Sequence, residues 1–328
     1  VRVSIAVAGL VFIAALVALG GHGASGDGPL VASNVTSVHL GGSVSAIAWG
    51  DGALWATAGD RLARIDPGDM AVKKSAQIPS LCDNSQIAVG LGSVWITSGD
   101  CGLPGRLVQV DPKTMEVVGI ADAPGFLKGV AVWHGRVWVT VPQGGRPMLE
   151  LDPAAGQLSP APLQVGTQVS TGPFAPRMNS LLATSGRLWG VVGGSGSGLL
   201  AMNESHGALE AVGVGGHQPP VIIPVTRTGG IVWAAFGLTV VPLDANSGRQ
   251  IGPTLHPGDE PLALAGGSTE VWIATPHVLY RGSIRKPVLV RSSRLPFRAE
   301  ELAVGGNYLW EAGAGDEIAR LGDPPVVS

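Results

Sequence analysis

Eight polar side chains share one kind of position in this sequence, at or just ahead of the start of a short apolar stretch. They are Asn84, Lys128, Arg177, Asn179, Gln218, Glu260, Arg298 and Glu300. Three cations, two acids and three amides offer donors, acceptors and both signs of charge, which suits a small polar ligand or a peptide. They do not compose a catalytic set. The chain has no phosphate-cradling P-loop, no nucleophile elbow, no HExxH pair and no EF-hand loop. His22, His39, His134, His206, His217, His256 and His277 are scattered without metal-ligand spacing. No catalytic residue, metal or cofactor is assigned.

What would position these residues is a repeat. Seven segments pair an apolar stretch, a tight turn and a tryptophan: AIAWGDGALWAT, QIAVGLGSVWIT, GVAVWHGRVWVT, SLLATSGRLWGV, IIPVTRTGGIVWAA, LALAGGSTEVWIA and ELAVGGNYLWEA. Trp55, Trp95, Trp138, Trp189, Trp233, Trp272 and Trp310 follow one another at 40, 43, 51, 44, 39 and 38 residues. A period near forty with strand patterning throughout predicts an all-β, seven-bladed β-propeller of four-stranded antiparallel blades. Strands A and B of each blade flank the turn. Gly52, Gly92, Gly135, Gly186, Gly230, Thr269 and Asn307 stand three residues before each tryptophan, mostly types that tolerate left-handed backbone. Strand C is the next apolar run, for example LVQVD at 107–111. Asp66, Asp111 and Asp152, each followed by proline, and then Asn203 and Asp244, suit the first position of the C–D turn. On separate blades they would lie too far apart to share a metal.

Most strands are apolar on both faces, as expected where each blade is covered by its neighbours. The tryptophans then belong to blade-to-blade packing, with the indole N–H reaching a backbone carbonyl. The seventh repeat supplies three strands and no fourth, whereas VTSVHL at 35–40 is a strand without a partner. Pairing the two would complete the last blade and remove an exposed edge. The eight polar residues then gather on the face formed by the D–A and B–C loops, which also holds the long 164–179 segment. Loop insertions on one face of a repeat fold mark its working surface.

Only 14% of residues are charged and the net charge is −3, without a basic cluster, so the footprint of nucleic-acid binding is missing. Val3 to Leu19 carries no charge, Arg2 precedes it, and no Lys or Arg follows until Arg61. That asymmetry predicts a hydrophobic helix serving as signal anchor or cleaved signal peptide over 1–20. A tether over 21–34, the propeller over 35–323 and a tail over 324–328 would follow. The propeller would be extracytoplasmic, membrane-anchored if the helix is kept and secreted if it is cut. Cys82 and Cys101, the only cysteines, form a disulfide candidate between two loops at one end of blade two. A monomer is expected.

IAVGLGSVWIT (87–97) and LVQVDPKT (107–114) carry a resemblance to the bacterial propellers of the YncE/YVTN type and the streptogramin (virginiamycin B) lyases. It extends over about residues 36 to 323 and implies the propeller fold. It implies either a non-catalytic binding or sensor module or a metal-assisted lyase. The lyase constellation of His and Glu is not matched, since Glu270 and His277 fall at opposite ends of one repeat. The binding module, docking a small polar ligand or protein partner, is therefore the expected function.

Overall fold

The computed structural model describes residues 35–81, 85–98, 104–141, 148–160, 164–165, 177–193, 198–203, 208–212, 224–284, 289–294, 297–313 and 315–321. Their regular structure is strand, arranged in seven separate sheets, one per repeat. Among the described residues no helix is long and apolar enough to cross a membrane. The hydrophobic helix expected over 1–20, the tether at 21–34 and the tail at 324–328 lie outside them, as do Cys82 and Cys101.

Blade one shows the rule, with Val44–Gly50 (A), Ala53–Ala58 (B), Arg61–Ile65 (C) and Val72–Gln77 (D) in that order across the sheet. The innermost strands form a closed ring. Val44–Gly50 is followed by Gln86–Gly90, Val130–Trp133, Arg177–Ala183, Val225–Thr228, Ala263–Gly266 and Ala299–Gly305, which returns to the first.

The last blade is assembled from both chain ends, as the sequence predicts. Val35–His39 pairs antiparallel with Glu317–Leu321, from Val35 opposite Leu321 to His39 opposite Glu317. Beyond that strand lie Tyr308–Gly313 and then Ala299–Gly305. Arg320 adds a tie to blade one. Its guanidinium lies over the Tyr308 ring and donates to the carbonyls of Pro67 and Gly68.

Two blades depart from four strands. Blade four gains a fifth, because Gln164–Val165 runs parallel to Ala208–Val212 at its outer edge. The start of the 164–179 segment therefore edges blade four instead of joining the loops of the binding face. Blade five has three strands, and its outer edge is met only by bridges from Leu255 to Val240 and Gln250 to Leu243. Pro253 between those bridges and Pro242 in strand C both lack the N–H that a continuous ladder needs.

The A–B hairpins follow their turn chemistry in four blades. Both central residues are left-handed at Asp51-Gly52 (φ 51 and 69), Leu91-Gly92 (54 and 72), His134-Gly135 (48 and 74) and Gly306-Asn307 (60 and 66). Gly186 and Thr269 are not left-handed, and in blade five the left-handed residue is Gly229 instead of Gly230. In blade four the Thr184 hydroxyl closes the turn, donating to Arg187 O and accepting from Arg187 N.

Each tryptophan is buried between its own blade and the next. Trp55, Trp95, Trp138 and Trp310 donate Nε1–H to the carbonyls of Gly50, Gly90, Trp133 and Gly305, five residues back. Trp189 and Trp233 differ, having a buried Nε1 with no acceptor among the described residues.

Glycine sets how closely the inner strands approach. A Cβ on Gly305 would overlap the Trp49 ring of blade one, although the Gly305 backbone is not left-handed. Gly52 is the opposite case, left-handed with open space around it. Gly305→Ala is expected to cost about 1–3 kcal/mol through overpacking, and Gly52→Ala about 1 kcal/mol through backbone strain. Chemical denaturation of both variants tests that order.

Candidate functional site

Two bonds build the mouth of the channel. The backbone of Lys128 donates to Thr140 O at 3.1 Å, and its carbonyl accepts the Thr97 hydroxyl of blade two at 2.7 Å. Lys128 is thereby held at the head of the inner strand of blade three. In blades one, four and seven the same place is a β-bulge, because pairing skips Ser45, Asn179 and Glu300. A bulge leaves its extra residue unpaired and re-aims the side chain, and bulges collect beside functional sites. Glu300 is exposed, whereas Ser45 and Lys128 are partly exposed. Ser45, Thr57 and Ser85 close a triangle of hydroxyl contacts at 2.7–2.9 Å that joins blade one to blade two.

Three of the eight residues named from the sequence therefore stand at equivalent ring positions: Lys128, Asn179 and Glu300. Arg177, Glu260 and Arg298 come two residues ahead of the ring. Glu260 and Arg298 are exposed, and the Glu260 N–H is taken by its neighbour Asp259. Asn84 and Gln218 lie outside the described residues. One step deeper, Gln86 and Glu301 are partly exposed, each paired with the residue two beyond its blade's tryptophan. Both were missed as site residues because the sequence reading took them as ordinary strand starts. The signal available was their polarity, where the matching residues of blades one and six are Ala46 and Ala263.

The two ends of the channel differ in character. At the far end, the partly exposed side chains of the inner strands are Trp49, Val89, Val132 and Val304, with Arg227 the charged exception. The polar end carries Ser45, Gln86, Lys128, Glu300 and Glu301. Glu301 shares its row with Ala312, Ile318 and Val38, which face blade one. Enclosure by protein, then the nearby Glu300, push its carboxyl up to about 8. Among the described residues the ring positions thus carry Lys128 on blade three and Glu300 on blade seven, with the acid of Glu301 beside the latter.

The aspartates of the C–D turns are taken up by their own backbones. Asp111 Oδ1 accepts from Lys113 N at 2.7 Å and Thr114 N at 2.9 Å, and Asp244 Oδ1 from Ser247 N at 2.7 Å. Asp66 and Asp152 do the same with Gly68 N and Ala154 N. These bonds hold the carboxyls of Asp111 and Asp244 below the usual carboxylate value.

No protein-family model and no curated protein sequence matches this chain. Solved structures do. The chain is similar to a chain of the hydrazine synthase of Kuenenia stuttgartiensis, at 10% identity and a TM-score of 0.67, over 86% of this chain and 96% of that one. It is also similar to a chain in the crystal structure of a mitotic checkpoint complex, at 8% identity and a TM-score of 0.65, over 94% and 98%. This chain is a seven-bladed β-propeller. At such identity the likeness is one of fold, and the site must be argued from its own residues.

Because their pKa values fall on folding, Asp111 and Asp244 stabilise the fold above the unfolded carboxylate value of about 4. That stability is lost as pH falls through the depressed folded values. Asp111→Ala and Asp244→Ala are expected to lower the thermal midpoint at pH 7 and to differ progressively less from the parent protein below pH 4. Thermal melts across pH 2–7 measure this.

Proposed function

We propose that the protein is a non-catalytic binding module whose ligand sits at the polar mouth of the channel. The observation that carries this reading is the charge arrangement at equivalent ring positions. Lys128 belongs to blade three and Glu300 to blade seven, which are three blades apart one way round the ring and four the other. They therefore stand on opposite sides of the opening. A ligand with an anionic and a cationic end, such as an amino acid or short peptide, is complementary to that pair. Gln86 and the protonated Glu301 supply neutral hydrogen bonds between the two ends. The bulge at Glu300 and the Thr97 hydroxyl that holds Lys128 preorganise the two charged positions.

The repeat pattern of IAVGLGSVWIT and LVQVDPKT supports a relation to the YncE/YVTN-type and streptogramin-lyase-like propellers. The uncharged run Val3–Leu19, with Arg2 ahead of it, supports placing this module outside the cytoplasm, anchored or secreted. Cys82 and Cys101 as a disulfide agree with that compartment.

Titration calorimetry of the full chain with amino acids, dipeptides, and their amidated and acetylated forms tests the site. A zwitterionic probe is expected to bind better than its capped forms, and Lys128→Ala and Glu300→Ala to weaken it about tenfold each, or about 1.4 kcal/mol. Equal binding of capped and free forms, or binding unaffected in both variants, would overturn the reading.

A further inference from the structure

Glu311 occupies a place where a propeller has no use for an acid. It follows Trp310 directly, and the residues that follow the equivalent tryptophans are Ala56, Ile96, Val139, Gly190, Ala234 and Ile273. Its side chain is fully buried, and neither Oε1 nor Oε2 has a hydrogen-bond partner among the described residues. Cross-strand pairing puts it in a row with Leu302 and Ala319, on the face that Leu302, Leu309 and Leu321 turn toward blade six.

The surroundings offer no compensation. Blade six presents Ala263, Ala265, Trp272, Ala274 and Leu279 to that interface. Its cation there, Arg281, has Nε 3.6 Å from Glu270 Oε2 and its guanidinium over Trp272, and its buried Nη1 makes no hydrogen bond to Glu311 or to any other described residue. On its own sheet the titratable groups of that face are Glu317, whose charge disfavours ionisation of Glu311, and exposed His39, bonded to Asp316 at 3.1 Å. The opposite face of the same sheet carries Glu301, turned toward blade one. There Val44, Ile47, Leu54, Ala56 and Ala58 of blade one pack on the sheet, exposed Arg61 stands in the Ala58 row, and Glu300 is the charged neighbour in the Glu301 strand.

We propose that blade seven is a proton-held latch: its sheet stays clamped between blades six and one while Glu311 is a neutral acid, and opens as it loses its proton. The location fits the role. This blade alone joins the first and last strands of the propeller, its outer strand is held by five residue pairs, and because the seven sheets share no strands its release breaks no ladder of the other six.

Linkage fixes the sign. Burial raises the Glu311 carboxyl to about 8, whereas an opened blade returns it to about 4.3. Between those values the closed blade holds a proton that the open one releases, so closure is strongest at low pH and weakens as pH rises. Glu311 multiplies the opening constant roughly tenfold per pH unit in that window. Above about 8 the dependence levels off.

Hydrogen exchange of the full chain between pH 5.5 and 7.5, corrected for intrinsic rates, reads these opening constants. Amides of Leu309–Ala312 are expected to show the steep rise, and those of Val137–Val139 in blade three to show none. Glu311→Ala, which installs the residue blades one and five already use, should remove that tenfold step per pH unit. Glu311→Gln serves as a second non-titrating variant if alanine perturbs packing. A blade-seven opening constant that does not change with pH, or a slope that survives in both Glu311→Ala and Glu311→Gln, would overturn the proposal.

Discussion

Pairing of Val35–His39 with Glu317–Leu321 joins residues separated by almost the whole propeller, and the His39–Asp316 contact alone spans 277 positions. A blade cannot bury both faces without neighbours, so a ring of seven leaves two faces bare unless the seventh also meets the first. Closing so long a loop carries an entropic penalty, but that penalty grows slowly with length. Against it stand the interface of blades seven and one, with Trp310, Ile318, Leu54 and Ile65 fully buried, and the Arg320 tie to Pro67 and Gly68. The Trp49 ring lying over Gly305 and Gly306 completes the seam.

The same ring explains why a site can form at one end. Every inner strand runs the same way along the channel, so residues at one strand position, repeated seven times, form one layer. The layer at Trp49, Val89, Val132 and Val304 is apolar but for Arg227, whereas the layers of Lys128 and Glu300 and of Gln86 and Glu301 hold the polar residues of the inner strands, interspersed with Ala46 and Ala263. The difference arises at the bulges. Ser45, Asn179 and Glu300 are extra residues that the ladder does not use, and a residue freed from pairing at a strand head can carry chemistry without breaking the sheet.

Much of this was legible in the sequence because it depends on local signals that repeat. Period, tryptophan spacing and turn residues gave the blade number, and the missing fourth strand of the last repeat gave the closure. Gly186, Gly230 and Thr269 show the limit, since a turn residue's type allows left-handed backbone without requiring it. Blade five was misread for a related reason. Pro242 and Pro253 act through hydrogen bonds they cannot make across strands, which a pattern of apolar residues does not display. Glu301 and Gln86 were passed over because they read as ordinary strand starts, and only the bulge geometry separates Glu300 from Glu301. Glu311 looked like one more strand residue. Its burial depends on blade six, whose sequence lies forty residues away.

A repeat makes its own control experiment. Corresponding positions in seven blades see nearly the same environment, so packing alone predicts the same residue class at each. Where six blades obey and one does not, packing is not what selected the residue. The position after tryptophan is apolar or glycine in six blades and glutamate in the seventh. Burying an unpartnered carboxyl there opposes folding at neutral pH, and any of the other six residues would relieve it. The cost falls on the one sheet that closes the ring, and whose release breaks no ladder in the remaining six. A weakness confined to the closing blade is what a device for opening the ring requires, and a weakness acquired at random would be as frequent in any other blade.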